Sequence, residues 1–65
     1  MDRKAIGERL RELRGDRTLR QVASDVGISL AAICMYEAGE RLPRPGVMVK
    51  LANYYNTTVE ALFFA

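Results

Sequence analysis

Arginine is the side chain through which this sequence could do most of its chemistry. Of ten Lys and Arg, seven (Arg3, Lys4, Arg9, Arg11, Arg14, Arg17 and Arg20) fall in residues 1–20 against four acids, and three fall in residues 21–65 against four. The segments carry +3 and −1, which sum to the net +2 of the chain. A positive edge of this kind suits an anionic partner. It suits equally well a solvated helix face carrying local pairs such as Glu8–Arg11, and charge alone does not separate the two.

Catalysis has poorer material. There is no histidine to act as a base, no Gly-rich phosphate loop, and Cys34 has no candidate base in its pattern. Asp25, Glu37, Glu40 and Glu60 do not group as an acid pair. One cysteine cannot form an internal disulfide, and without histidine the chain lacks the three or four ligands of a structural zinc site. No enzyme activity, metal or cofactor is expected. The single thiol fits a reducing cytoplasm. No apolar run reaches the roughly eighteen residues that span a bilayer, and no signal-peptide pattern opens the chain, so a soluble cytoplasmic protein without a membrane partner is expected.

Sixty-five residues allow one small domain whose core must be well organised. Ile6, Leu10 and Leu13 recur at helical spacing between charges, which predicts a helix from about Asp2, a plausible N-cap, to Arg14, ended at Gly15-Asp16. Thr18 followed by Gln21 is a capping box and starts a second helix at Leu19. That helix turns Val22, Ala23 and Val26 inward and stops at Gly27. Ser29 caps a third, about Leu30–Ala38, ended by Gly39. "ERLPRPG" is a loop, with Pro45 in the first turn of a fourth helix whose apolar stripe is Val47, Met48, Leu51, Ala52 and Tyr55. Asn56 can close it in the left-handed conformation. Thr58 then caps a short fifth helix, "VEALFF". No segment has convincing strand periodicity, and the expected class is all-α.

Helices two and three meet through "VGIS". A small residue at the crossing (Ala23), a turn glycine four later (Gly27) and a β-branched core residue six beyond (Ile33) are the steric signature of a helix-turn-helix, here about residues 18–38. With it, "IGERLRELR", "TLRQVASDVGIS", "YEAGERLPRP" and "VKLANYYNTTVEALF" resemble the λ-repressor-like (XRE) family of bacterial and phage regulators over about residues 4–63. The Glu37-x-Gly39-x-x-x-Pro43 run is the most specific part. The resemblance implies a compact five-helix fold, binding to double-stranded DNA as a homodimer at a palindromic operator, transcriptional control that is usually repression, and no catalysis.

The third helix is unusual for such a role. On a helical wheel, Ile33 and Tyr36 face one way with Ser29 and Ala32 beside them. Leu30, Ala31, Cys34, Met35 and Ala38 fall opposite. In the family this second face meets the major groove, with Leu30, Ala31 and Met35 at base-reading positions and Cys34 among them, yet none can bond a purine edge in bidentate fashion. Three readings compete: apolar packing on thymine methyls, groove binding with sequence choice left to DNA shape, or a protein-binding face on an adaptor or antirepressor.

The arginines favour DNA. Arg17 precedes helix two, Arg20 lies in its first turn beside the Thr18 cap, and Ser29 caps helix three. Arg41 and Arg44 lie in the loop where the family grips phosphates. All six are candidate phosphate contacts. The resemblance also pairs Arg14 with Glu37 in a partly buried salt bridge, against the alternative of Arg14 on a phosphate. In "VEALFFA", Val59 and Leu62 share the packing side, and adjacent Phe63 and Phe64 cannot both join it. At least one ring is therefore expected in solvent near Tyr54, and Tyr54, Phe63 and Phe64 form the candidate dimer interface, the alternative being a frayed terminus.

Overall fold

The computed structural model describes residues 1–65 and contains five helices and no strands. Their starts are set by short polar side chains. Asp2 accepts from the backbone N–H groups of Lys4 (3.0 Å) and Ala5 (3.2 Å) and opens α1, Arg3–Arg14. The Thr18, Ser29 and Thr58 hydroxyls each accept at 3.0 Å from the N–H three residues on, and open α2 (Leu19–Val26), α3 (Leu30–Ala38) and α5 (Val59–Phe63). Each such bond satisfies a donor the helix cannot satisfy itself. At α4 (Pro45–Tyr54) no side chain caps, and Pro45 in the first turn removes one of the orphan donors.

Three of the helices end the same way. Gly27 (φ 80°), Gly39 (φ 74°) and Asn56 (φ 59°) take left-handed conformations after α2, α3 and α4. The next N–H in each case reaches back five residues: Ile28 to Ala23, Glu40 to Met35 and Thr57 to Ala52, at 2.9–3.0 Å. This satisfies carbonyls left open at the helix end.

Ile6 and Leu10 of α1, Val22 of α2, Ile33 of α3, Leu51 of α4, and Leu62 and Phe63 of α5 form the centre of one apolar core. Around it α1 packs on α3 and α5, α2 on α3 and α4, and α4 on α5. The α1–α3 contact is a backbone contact. A Cβ on Gly7 would collide with the Glu37 carbonyl group and lie 2.9 Å from the Tyr36 carbonyl oxygen.

Three sequence expectations change. Leu13 is 37% exposed rather than in the core, at the edge of a surface groove it lines with Ala61 and Leu62 of α5. The capping box at Thr18 is half formed: the Gln21 amide donates instead to Asp25 Oδ1 at 2.8 Å, one turn on. Phe63, expected at a dimer interface, is 1% exposed and belongs to the core. Helix α5 wedges between α1 and α4 and buries two adjacent residues, Leu62 and Phe63, against different neighbours. Only Phe64, 61% exposed, is offered to solvent. No helix is long and apolar enough to cross a membrane.

Candidate nucleic-acid interface

Helices α2 and α3 are joined by a tight turn in which each signature residue has its steric task. Ala23 is buried at the crossing, Gly27 adopts the left-handed conformation, and Ile33 is fully buried. Ile33 and Tyr36 anchor α3 inward, while Ala31, Cys34 and Ala38 are exposed and Leu30 and Met35 half-buried. Leu30 also packs against the core, so its side chain is shared between the interior and the outward face.

Apart from the exposed Cys34 thiol, the polar side chains of α3 are buried or paired. The Tyr36 ring is buried. Glu37 is held by Arg14, whose Nε donates to Oε2 at 2.8 Å and Nη2 to Oε1 at 3.1 Å, with the side chains 18% (Arg14) and 9% (Glu37) exposed. Arg14 Nη1 also donates to the Arg17 carbonyl at 2.8 Å. The hydrogen bond to Glu37 is the first cause holding the Arg14 pKa above its ordinary value. The pair ties the end of α3 to the end of α1, as the family resemblance implies. No ion pair forms within α1; Arg14–Glu37 is the one salt bridge of the fold.

The remaining arginines divide. Arg20, Arg41 and Arg44 are exposed and have no partner within the chain, leaving their guanidinium groups free at the start of α2 and in the loop after α3. Arg17 is different. Its Nη1 donates to the Leu13 carbonyl at 3.1 Å, and its guanidinium carbon lies 5.3 Å from the Tyr54 ring centroid and 5.6 Å from that of Tyr55. This folds Arg17 onto its own protein, away from the role of a free phosphate contact. Thr18 and Ser29 remain exposed, their oxygens occupied as caps and their hydroxyl protons available.

Tyr54 is similarly occupied. Its hydroxyl donates to Asp25 Oδ2 at 2.6 Å, joining α4 to α2, and that bond is the first cause raising its pKa. The neighbouring Tyr55 ring meets Tyr54 edge-to-face at 4.9 Å. Burial, with the negative charge of Glu37 second, pushes the Tyr55 phenol up to about 12, and its buried hydroxyl has no hydrogen-bond partner.

A family model described as a helix-turn-helix domain matches residues 5–62. The chain belongs to the helix-turn-helix domain family. Comparison with the curated proteins and with the solved structures gives no significant match. The five-helix architecture of this helix-turn-helix domain is consistent with the λ-repressor-like resemblance, and the family is a DNA-binding, typically non-enzymatic one.

Two residues had no role assigned from sequence. Arg9 donates from Nη1 to the Leu62 carbonyl (3.0 Å) and from Nη2 to the Ala65 carbonyl (2.9 Å), fixing the last turn of α5 to α1. Nothing local to Arg9 signals this. Gly7 did carry a signal: a glycine inside a helix of otherwise good helix formers costs about 1 kcal/mol and usually has a packing reason.

Proposed function

We propose that this domain is a sequence-specific regulator of transcription in the cytoplasm, most simply a repressor, that binds a palindromic double-stranded operator as a homodimer. The observation that carries the reading is the division of labour around α3. Its outward face is apolar and its acid is neutralised by Arg14, while Arg20, Arg41 and Arg44 stand free on either side of it in the chain. Phosphate contacts from such groups supply affinity and hold register; the groove face of α3 (Leu30, Ala31, Cys34, Met35) supplies the base contacts. In a two-fold dimer the α3 helices would lie about 34–36 Å apart, one turn of DNA. Phe64, large, apolar and exposed, is the residue best placed to bury itself in that dimer, with Tyr54 kept as a tie within each protomer.

The deciding experiment is binding to random duplex DNA across a salt series. The logarithm of affinity is expected to fall linearly with the logarithm of salt, by about 0.9 for each phosphate engaged. Absent or salt-independent binding would favour the rival reading, an antirepressor or adaptor using the exposed Ala31–Cys34 strip against a protein. The dimer is tested separately by Phe64→Asp, which is expected to keep the melting temperature and abolish cooperative binding to a two-half-site operator. Unchanged cooperativity would place the dimer contact elsewhere.

A further inference from the structure

Most base readout in the major groove uses donors or acceptors that reach base edges, and α3 has almost none to offer. Of its nine residues, Leu30–Ala38, only Cys34, Tyr36 and Glu37 carry a polar side-chain atom beyond the backbone. Tyr36 is buried and Glu37 is gripped at both oxygens by Arg14. Cys34 is exposed, and a thiol is a weak donor. The Gln21 amide on α2 is itself tied to Asp25. What remains outward is Ala31, Cys34, Ala38 and the half-buried Met35.

Resting on the DNA-binding reading above, we propose that this domain recognises the 5-methyl group of pyrimidines in the major groove, and that it accepts 5-methylcytosine in place of thymine. The methyl is the one apolar feature a base pair shows in that groove, and it stands at the same pyrimidine carbon in thymine and in 5-methylcytosine. What separates the two bases is the exocyclic group, an acceptor O4 in thymine and a donor amino group in cytosine. Discriminating between them takes a strong donor or acceptor, and the outward face of α3 offers only the weak thiol of Cys34. The thioether of Met35 adapts its shape to such a methyl, and the small Ala31 lets the helix approach closely. The free charges of Arg20, Arg41 and Arg44 fit the phosphate backbone that an apolar helix could not hold by itself. Cytosine methylation of an operator would then create binding sites rather than destroy them.

The test begins with duplexes enriched from a random pool by the whole chain. Each thymine of the enriched site is then replaced in synthetic duplexes, giving four versions: T·A, U·A, C·G and 5-methyl-C·G. Uracil differs from thymine only by the methyl. Loss of one buried methyl is expected to weaken binding roughly four-fold. The same factor should separate 5-methyl-C·G from C·G at the same position, since within each comparison the purine and the hydrogen-bonding edge are constant. Equal binding of T and U overturns the proposal and leaves DNA binding standing. A thymine-to-uracil loss with no matching gain for 5-methylcytosine also overturns it, because the pyrimidine's polar edge is then being read. Enrichment of no duplex at all overturns the DNA-binding reading itself. A protein-side control separates methyl contact from DNA shape: Cys34→Ser combined with Met35→Ala should bring the T-to-U ratio toward one while the melting temperature and salt dependence hold. A ratio unchanged in that variant would assign the methyl effect to the duplex alone and sink the proposal.

Discussion

The two helices of the motif are tied to the rest of the domain in opposite ways. Helix α3 is held to α1 by contacts that cannot adjust: backbone against backbone at Gly7, and a bidentate Arg14–Glu37 pair with both side chains largely covered. Besides its own apolar packing, α2 is held to α4 by groups at the surface, where Tyr54 donates to Asp25, Gln21 supports the same carboxylate, and Arg17 lies over the tyrosine rings. The difference suits the roles proposed for the two helices. A groove helix reads sequence only if its pose is fixed to a fraction of an ångström, which rigid packing provides. In the proposed role, the start of α2 and its flanking arginines would only have to find phosphates, and a network of exposed side chains can adjust to them.

The largest test of this contrast is Gly7→Ala. By helix propensity alone alanine should stabilise α1 by about 1 kcal/mol. Because the new Cβ would strike the Glu37 carbonyl group, a net loss of about 3 kcal/mol is expected in chemical denaturation. A neutral result would show that α1 and α3 can move apart, and the fixed-pose argument would go with it. Next is Glu37→Ala, which strands the Arg14 guanidinium under partial cover. A loss of about 1–3 kcal/mol lies between the limits for exposed and buried pairs. A double-mutant cycle with Arg14→Ala should recover most of it as coupling; independent effects would mean the pair is incidental.

The parts of this structure that were legible in the sequence are those decided within a few residues. Asp2, Thr18, Ser29 and Thr58 cap because their oxygens reach a nearby N–H, and Gly27, Gly39 and Asn56 stop helices because they tolerate positive φ. The inward face of α3 followed from its period, and Arg14–Glu37 from the family pattern. What failed depended on neighbours distant in sequence. Leu13 has the right period but stays 37% exposed, beside an open groove rather than a close-packed neighbour. Phe63 was placed by counting on an isolated helix, whereas α5 lies between two others and buries two adjacent side chains. Arg9 had no role, Arg17 read as a phosphate contact and Tyr54 as a dimer contact, until the fold supplied Leu62, the tyrosine pair and Asp25 as their partners.

Tyr55 sits where the two ties meet, and it gives a smaller effect of opposite sign. Its hydroxyl is buried without a partner, so Tyr55→Phe removes an unsatisfied group and should raise stability at neutral pH by about 1 kcal/mol. The same burial sets an alkaline limit. The phenol titrates at about 12 in the fold and at about 10 in the unfolded chain. Between these values the unfolded chain has lost a proton that the folded one keeps. Titration of this group therefore leaves stability unchanged below about pH 10 and lowers it as pH rises through about 12. Tyr55→Phe should flatten the fall of melting temperature over that interval. An unchanged alkaline slope would mean other groups control it, with Tyr54, also raised, the first to examine.

The smallest expected effects bear most directly on which arginines meet DNA. Arg17 is engaged with the Leu13 carbonyl and two aromatic rings, whereas Arg41 and Arg44 have no partner in the chain. If the division holds, Arg44→Ala and Arg41→Ala should each lower the salt slope by roughly one unit, weaken all duplexes alike, and leave the melting temperature where it was. Arg17→Ala should do the reverse: a loss of stability of at most about 1 kcal/mol from the cation–aromatic contact, with the salt slope kept. Both measurements are needed for each variant, because a less stable domain also binds less when part of it is unfolded. A fall in slope for Arg17→Ala without a fall in melting temperature would show that its guanidinium leaves the tyrosines for a phosphate when DNA arrives. The exposed network around α2 would then be a store of phosphate contacts released on binding, and the contrast with the fixed α1–α3 contact would be sharper still.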